Sequence, residues 1–101
     1  TLLEYTDVAL GTDNVMLNGP SMFREMEYTA KTFGLNSRTV LRMATTAGSH
    51  AVGLDCGVIE PGRRAALLVL DGDSDNLSGV VDPVDAVVRR ATALDIERVI
   101  C

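Results

Sequence analysis

The chain has 101 residues, 47% of them hydrophobic, enough apolar material for one modest domain and too much for a disordered segment. Its formal net charge of −5 argues against a nucleic-acid partner, because neutralising phosphates needs clustered Lys and Arg. No apolar run approaches the ~20 residues that span a bilayer and no signal peptide opens the chain, so no membrane is expected and the cytoplasm is the expected location.

Lys31 is the single lysine, the other basic residues are arginines, and Asp outnumbers Glu. A salt-rich cytoplasm and a GC-rich genome explain that bias equally well. Cys56 and Cys101 have no metal-type spacing and make no disulfide framework, so free thiols are expected. Thr1 opens the chain without an initiator Met, and Ile100-Cys101 closes it inside a strand-like run. Both ends are therefore expected to be cut points.

In chain order, Val8-Ala9-Leu10 is a short apolar run stopped by Gly11, as expected for a buried strand of a parallel sheet. A polar loop over residues 12–20 follows. Ser21 then caps a helix, with Glu25 close to capping-box spacing. Met22, Met26, Ala30 and Phe33 fall on one face of that helix, and Gly34 ends it. Asn36 caps a second helix with an inner stripe of Val40, Leu41, Ala44 and Ala51, a break or a close helix contact at Gly48 and a stop at Gly53.

The character changes near Asp55. Val58-Ile59-Glu60-Pro61-Gly62 predicts a strand running into a type II turn, with Pro and Gly at its two central positions. Residues 65–70 predict an apolar strand, and residues 71–76 a solvated loop with three acids. Asp82-Pro83 starts a helix whose stripe is Val84, Val87, Val88 and Ala91, and residues 96–101 predict a final strand. The order strand, loop, helix, helix is the rhythm of an α/β fold.

The segment richest in chemistry is Val8-Ala9-Leu10-Gly11-Thr12-Asp13-Asn14. An Asp just past the C-terminal end of a buried strand stands where α/β enzymes keep catalytic groups. A loop Asp is also a common cap, so the position alone leaves both roles open. Asn14 and Asn18 either line a pocket entrance or bond within the loop. The Met stripe reads as helix core, and Asp71, Asp73 and Asp75 lack the Gly and Glu that a calcium loop needs.

Several stretches occur together in a recognisable order: Leu10-Gly11-Thr12-Asp13, Asn18, Ser21-Met22-Phe23-Arg24-Glu25-Met26, Arg42-Met43-Ala44-Thr45, Gly48 and Val52-Gly53-Leu54. They are followed by Gly57-Val58-Ile59-Glu60-Pro61-Gly62-Arg63-Arg64-Ala65 and Leu67-Leu68-Val69-Leu70-Asp71. In this order and spacing they closely resemble the C-terminal part of the amidohydrolase superfamily, in particular its chlorohydrolase and deaminase branch. The resemblance covers about residues 8–100 and is most specific at Glu60-Pro61-Gly62. One departure is Ala66, where most members carry an Asp of structural role.

The resemblance implies an α/β fold: a C-terminal fragment of a (β/α)8 amidohydrolase barrel plus strands of its composite β-sandwich. Residues 1–55 would supply the last barrel strand and the following helices, and residues 56–101 the sandwich segment with one helix. Asp13 would then be catalytic residue and metal ligand at the tip of the eighth strand, touching a divalent metal, zinc or iron, and taking a proton from the water that attacks the substrate. The other ligands in such enzymes are histidines of earlier strands. His50, the single histidine, stands at a position the family leaves variable and is not expected to bind metal.

One carboxylate cannot hold a catalytic zinc, which takes about three protein ligands, so the piece alone is expected to be inactive and free of bound cofactor. The complete enzyme would hydrolyse a C–N or C–Cl bond of a small heterocyclic or amide-like molecule. Open strand edges and unpartnered helix stripes lead to an expectation of self-association. The rival reading is a non-catalytic α/β interaction module in which Asp13 caps a turn.

Overall fold

The computed structural model describes residues 2–13, 16 and 19–101. Four helices, α1 (Met22–Phe33), α2 (Ser37–Ala44), α3 (Thr46–Val52) and α4 (Pro83–Arg89), accompany two strands, β1 (Leu67–Leu70) and β2 (Ile96–Ile100). Short 3-10 turns cover Leu2–Glu4 and Ala93–Asp95. The result is a small α/β structure with a two-stranded antiparallel sheet.

Local chemistry sets most of the helix ends where the sequence predicts them. Ser21 is extended and its hydroxyl accepts the Arg24 N–H, opening α1, and Gly34 closes it in the left-handed region at φ 62°. The Asn36 side chain accepts the Arg38 N–H at the start of α2, and the Asp82 side chain accepts the Val84 N–H beside Pro83 at the start of α4. Predicted turn chemistry holds as well: Arg63 N–H reaches the Glu60 carbonyl across Pro61 and Gly62, with Gly62 at φ 87°.

The core lies where α1, α2 and α4 pack together. Val40 and Val88 are its largest fully buried side chains, joined by Met26 and Ala30, with Leu10, Phe23 and Val87 half-buried around them. A second cluster of Leu77, Ala86 and Ala91 joins the underside of α4 to Leu70 of β1. Because α4 packs on both earlier helices, the core runs across the expected boundary at residues 55 and 56.

Several expectations need correction. Val8-Ala9-Leu10 forms no strand, since a ladder needs a neighbouring strand and β1 and β2 pair only with each other among the described residues. Leu10 N–H instead donates to the Met43 carbonyl at 3.1 Å. Residues 58–60 form bends and irregular backbone rather than strand, and β1 begins at Leu67 because Ala66 N–H turns back onto the Arg64 carbonyl. The second helix breaks at Thr45, and Gly48, one of whose two expected roles was that break, lies inside α3. Phe33, on the last turn of α1, is 68% exposed, and Ala51 is exposed on α3, because among the described residues no element covers either end of these stripes.

The sheet pairs Leu67 with Ile100, Leu68 with Val99 and Val69 with Arg98, then slips so that Leu70 faces Ile96. Such a slip is a bulge, which twists a strand and ends its regular pairing. The described part of this sheet leaves apolar side chains open: Leu68 is 51% and Val99 59% exposed, directly opposite each other.

Asp95 fixes how the sheet meets the rest. Only 3% exposed, its carboxylate accepts the Thr92 N–H at 2.7 Å and the Asn76 side chain at 3.1 Å, while its carbonyl accepts the Asp71 N–H at 2.8 Å. The Ser74 hydroxyl, buried and without a partner at hydrogen-bonding geometry, lies close by. Ser74 and then the Thr92 backbone hold the Asp95 carboxyl below the usual range, outweighing desolvation. The Asp85 carboxyl is lowered in the same way, first by the Ser37 hydroxyl that joins α2 to α4 and then by Arg89.

A depressed carboxyl contributes stability that is complete above its unfolded value, about 3.9, and is lost as pH falls through the lower folded value. Asp95→Asn is therefore expected to be less stable than wild type at pH 7. The difference should shrink steadily below about pH 4 and vanish once Asp95 itself is protonated. Denaturant titrations at pH 7, 4 and 2 measure it, and a gap that stays constant would contradict the assignment.

Candidate active-site carboxylate

Asp13 closes the segment that begins at Leu10. It is exposed and has φ 49°, the only non-glycine residue at positive φ among those described. Asp tolerates this region because its short polar side chain can bond locally, yet such conformations gather at functional loops more often than elsewhere. Asn14 and Asn18 lie outside the described residues.

Three residues upstream, Leu10 is fastened twice: its side chain packs against the Val40 cluster and its N–H bonds to Met43. The chain thus leaves the helical core at a defined point just before Asp13. An open groove of about 440 Å³ runs beside this segment, between the first residues of the chain and α2, with Asp7, Arg42 and Met43 among its lining. Asp13 does not line it.

His50 sits in the last turn of α3, and its Nδ1 lies 3.8 Å from an Asp7 carboxylate oxygen. Both side chains are more than four-fifths exposed, so the pair is a solvated surface contact that forms only with a protonated ring. Among the described residues, no three His, Cys, Asp or Glu side chains come together as metal ligands. Asp13 offers one hard oxygen donor, suited to a divalent cation, and the rest of a ligand set is not among these residues.

The other expected features keep the plain roles the sequence suggests. Both cysteines are free, with the Cys56 sulfur 3.3 Å from the Ser49 hydroxyl on α3. Asp71, Asp73 and Asp75 are exposed, and the Asp71 side chain accepts the Asp73 N–H. The loop they stand on is not wholly solvated, since Asn76 and Leu77 turn inward to Asp95 and the second core cluster.

Sequence reasoning missed three anchoring positions: Thr45 at the helix break, Gly57 against it, and Asp95. Thr92 and Asp95 have capping-box spacing, which is a legible signal. Arg63, between Asp55 and Glu60 at 2.7 Å from each, fastens the Pro61-Gly62 turn from outside; its guanidinium is held more firmly protonated by Glu60 and then Asp55.

A model of the amidohydrolase family matches residues 2–101. A putative aminohydrolase of Methanothermobacter thermautotrophicus is 43% identical over 96 residues, covering 89% of this chain and 23% of that protein. A 5-methylthioadenosine/S-adenosylhomocysteine deaminase of Acetivibrio thermocellus is 36% identical over 93% of the chain and 24% of its own length. A 5'-deoxyadenosine deaminase of Methanosphaera stadtmanae is 32% identical over 94% of the chain and 24% of its own length. The chain therefore spans about a quarter of the length of the curated relatives it matches. No solved structure matches it significantly. With a family model matched over residues 2–101, the chain belongs to the amidohydrolase family.

Proposed function

We propose that the complete protein is a metal-dependent hydrolase that removes an amino group from an electron-poor heterocycle, with Asp13 as its proton-accepting carboxylate and one ligand of the metal. The family match over residues 2–101 carries this reading. Between C–N and C–Cl hydrolysis, the names of the relatives favour C–N, and an adenine-type nucleoside is the first substrate to try.

In the complete protein, residues 1–55 would contribute the last strand of a (β/α)8 barrel with its helices, and residues 56–101 a sandwich segment with one helix. Residues 8–10 belong to neither a helix nor a turn here and would become a strand once flanked by neighbours. A bound divalent metal, zinc or iron, would supply Lewis acidity that makes water a nucleophile near neutral pH. Asp13 would take the proton of that attack and return it to the departing amine. Leu10, held in the core, sets where the carboxylate stands. No described helix is long and apolar enough to cross a membrane, and a cytoplasmic site of action suits a small-molecule substrate.

The test is ammonia release by the purified complete protein from adenosine and its 5'-modified analogues, before and after treatment with a chelator. Release that the chelator abolishes and added metal restores supports the reading. Undiminished release after complete metal removal, or none from any aminated purine or pyrimidine, counts against it.

A separate expectation concerns the exposed sheet. Leu68 and Val99 facing water in an open two-stranded sheet favour self-association of the isolated piece. Sedimentation velocity should find dimers or larger species at micromolar concentration, and a strictly monomeric boundary would contradict this.

A further inference from the structure

We infer that Val88 of α4 is a positioning residue for Asp13: from the far end of the chain it completes the side-chain layer on which Leu10 and Phe23, one on either side of Asp13, both rest. This rests on the functional reading of Asp13 given above. Met26 and Ala30 of α1, Val40 of α2 and Val88 form one buried cluster, and Leu10 and Phe23 pack against it half-buried. Of these four, Val88 comes from the segment beyond residue 55, and it is only 1% exposed.

Polar contacts seat α4 against the two earlier helices. The Ser37 hydroxyl, on the first turn of α2, donates to the Asp85 carboxylate. Arg89 Nε donates to the same carboxylate at 2.9 Å, and its Nη2 donates to the Leu35 carbonyl, between α1 and α2, at 3.5 Å. Asp85 and Val88 stand three residues apart and are neighbours on the helix surface, so the contacts that seat one also seat the other. A β-branched Val holds one strongly preferred rotamer in a helix, which makes it a stiff filler where α4 meets α1 and α2.

This layer does not compete with strand pairing at residues 8–10. Pairing engages backbone N–H and C=O groups in the plane of a sheet, and strand side chains stand roughly perpendicular to that plane. The Leu10 side chain can therefore rest on the helices while its backbone pairs with neighbours, as helices cover the faces of a parallel sheet. Phe23, on the first turn of α1, sets where the chain enters the core again after Asp13. Truncation at Val88 leaves a cavity that its neighbours close only in part. A shift that reaches both ends of the Asp13 segment moves the carboxylate, and misplacement by about 1 Å costs up to about 100-fold in rate.

The experiment measures kcat, KM and thermal stability of wild type, Val88→Ala, Val88→Ile and Leu77→Ala in the complete protein, with kinetics read well below every melting temperature. Val88→Ala should lower kcat by about tenfold or more with KM little changed. Val88→Ile forces one more carbon into a filled site and should lower kcat by about threefold or more; it decides the matter if Val88→Ala does not fold. Leu77→Ala empties the second cluster and leaves the first whole. It removes more buried carbon, so it should lose at least as much stability as Val88→Ala, yet keep kcat within about twofold of wild type. Wild-type kcat in a folded Val88 variant overturns the proposal, as do equal kcat losses at Val88 and Leu77, or a Val88 effect confined to KM. An Asp13→Asn variant of unaltered kcat is a different result: it brings down the functional reading, and the positioning role with it, whatever the Val88 variants do.

Discussion

Asp13→Asn in the complete protein should lower kcat by about 10²–10⁴-fold, the usual contribution of a positioned proton acceptor, while KM changes little. Asn keeps the size and planar shape of the side chain and tolerates positive φ as Asp does, so the backbone at φ 49° is not disturbed. What disappears is the negative charge and the ability to hold a proton. The exposure of Asp13 in this chain makes a folding explanation weak: substitutions at exposed sites away from special features change stability by about 0.5 kcal/mol or less. A rate loss without a loss of thermal stability would therefore report chemistry. Asp13→Ala should do at least as much damage, and a variant with wild-type kcat would remove the carboxylate from the mechanism. Steady-state kinetics and a thermal melt on the same preparations separate the two cases.

Gly57→Ala is expected to have the largest effect on stability. A Cβ at this position would stand 2.7 Å from the Ser49 hydroxyl oxygen, 2.8 Å from the Thr45 carbonyl oxygen and 3.0 Å from its carbon, at φ 89°. Ser49 can rotate away; the Thr45 backbone cannot without undoing the junction of α2 and α3. Overpacking of this kind costs about 1–3 kcal/mol, and the left-handed backbone about 1 kcal/mol more. The sum, roughly 2–4 kcal/mol, is a large part of a small domain's stability. Gly62→Ala is the internal control. Its φ of 87° is nearly the same, but nothing lies within 4 Å of the added carbon, so only the backbone part should appear. Equal losses from the two substitutions, measured by denaturant unfolding, would mean that the contact with Thr45 is not what Gly57 provides.

Much of the fold can be read from residue types acting locally. Ser21, Asn36, Asp82-Pro83 and Gly34 announce helix ends through their own side chains or backbone freedom, and the structure uses all of them. Val40 and Val88 are legible as core from helical spacing alone. Elements that depend on distant partners are less legible. Val8-Ala9-Leu10 has the composition of a buried strand, but a strand exists only as part of a ladder, and the described residues offer it none. Phe33 has the right spacing to be inside and lies outside, because spacing identifies a stripe and not what covers it.

At the candidate site, the sequence picks out Asp13 from its place after an apolar run and from the company of the other family stretches. It does not show how Asp13 is held. The carbonyl that anchors Leu10 belongs to the backbone of Met43, and backbone acceptors leave no mark in side-chain identity. Thr45 could have been suspected only from a β-branched residue ending an otherwise helical pattern. Gly48, expected to mark either a break or a close helix contact, is accommodated within α3.

The most direct measurement is the structure of the complete protein with a divalent metal bound, read at a single distance. A carboxylate oxygen of Asp13 should lie about 2.0–2.2 Å from the metal, as a ligand does. A carboxylate beyond reach of both the metal and its surrounding solvent would contradict the role assigned to Asp13, even if the enzyme proved to be a deaminase.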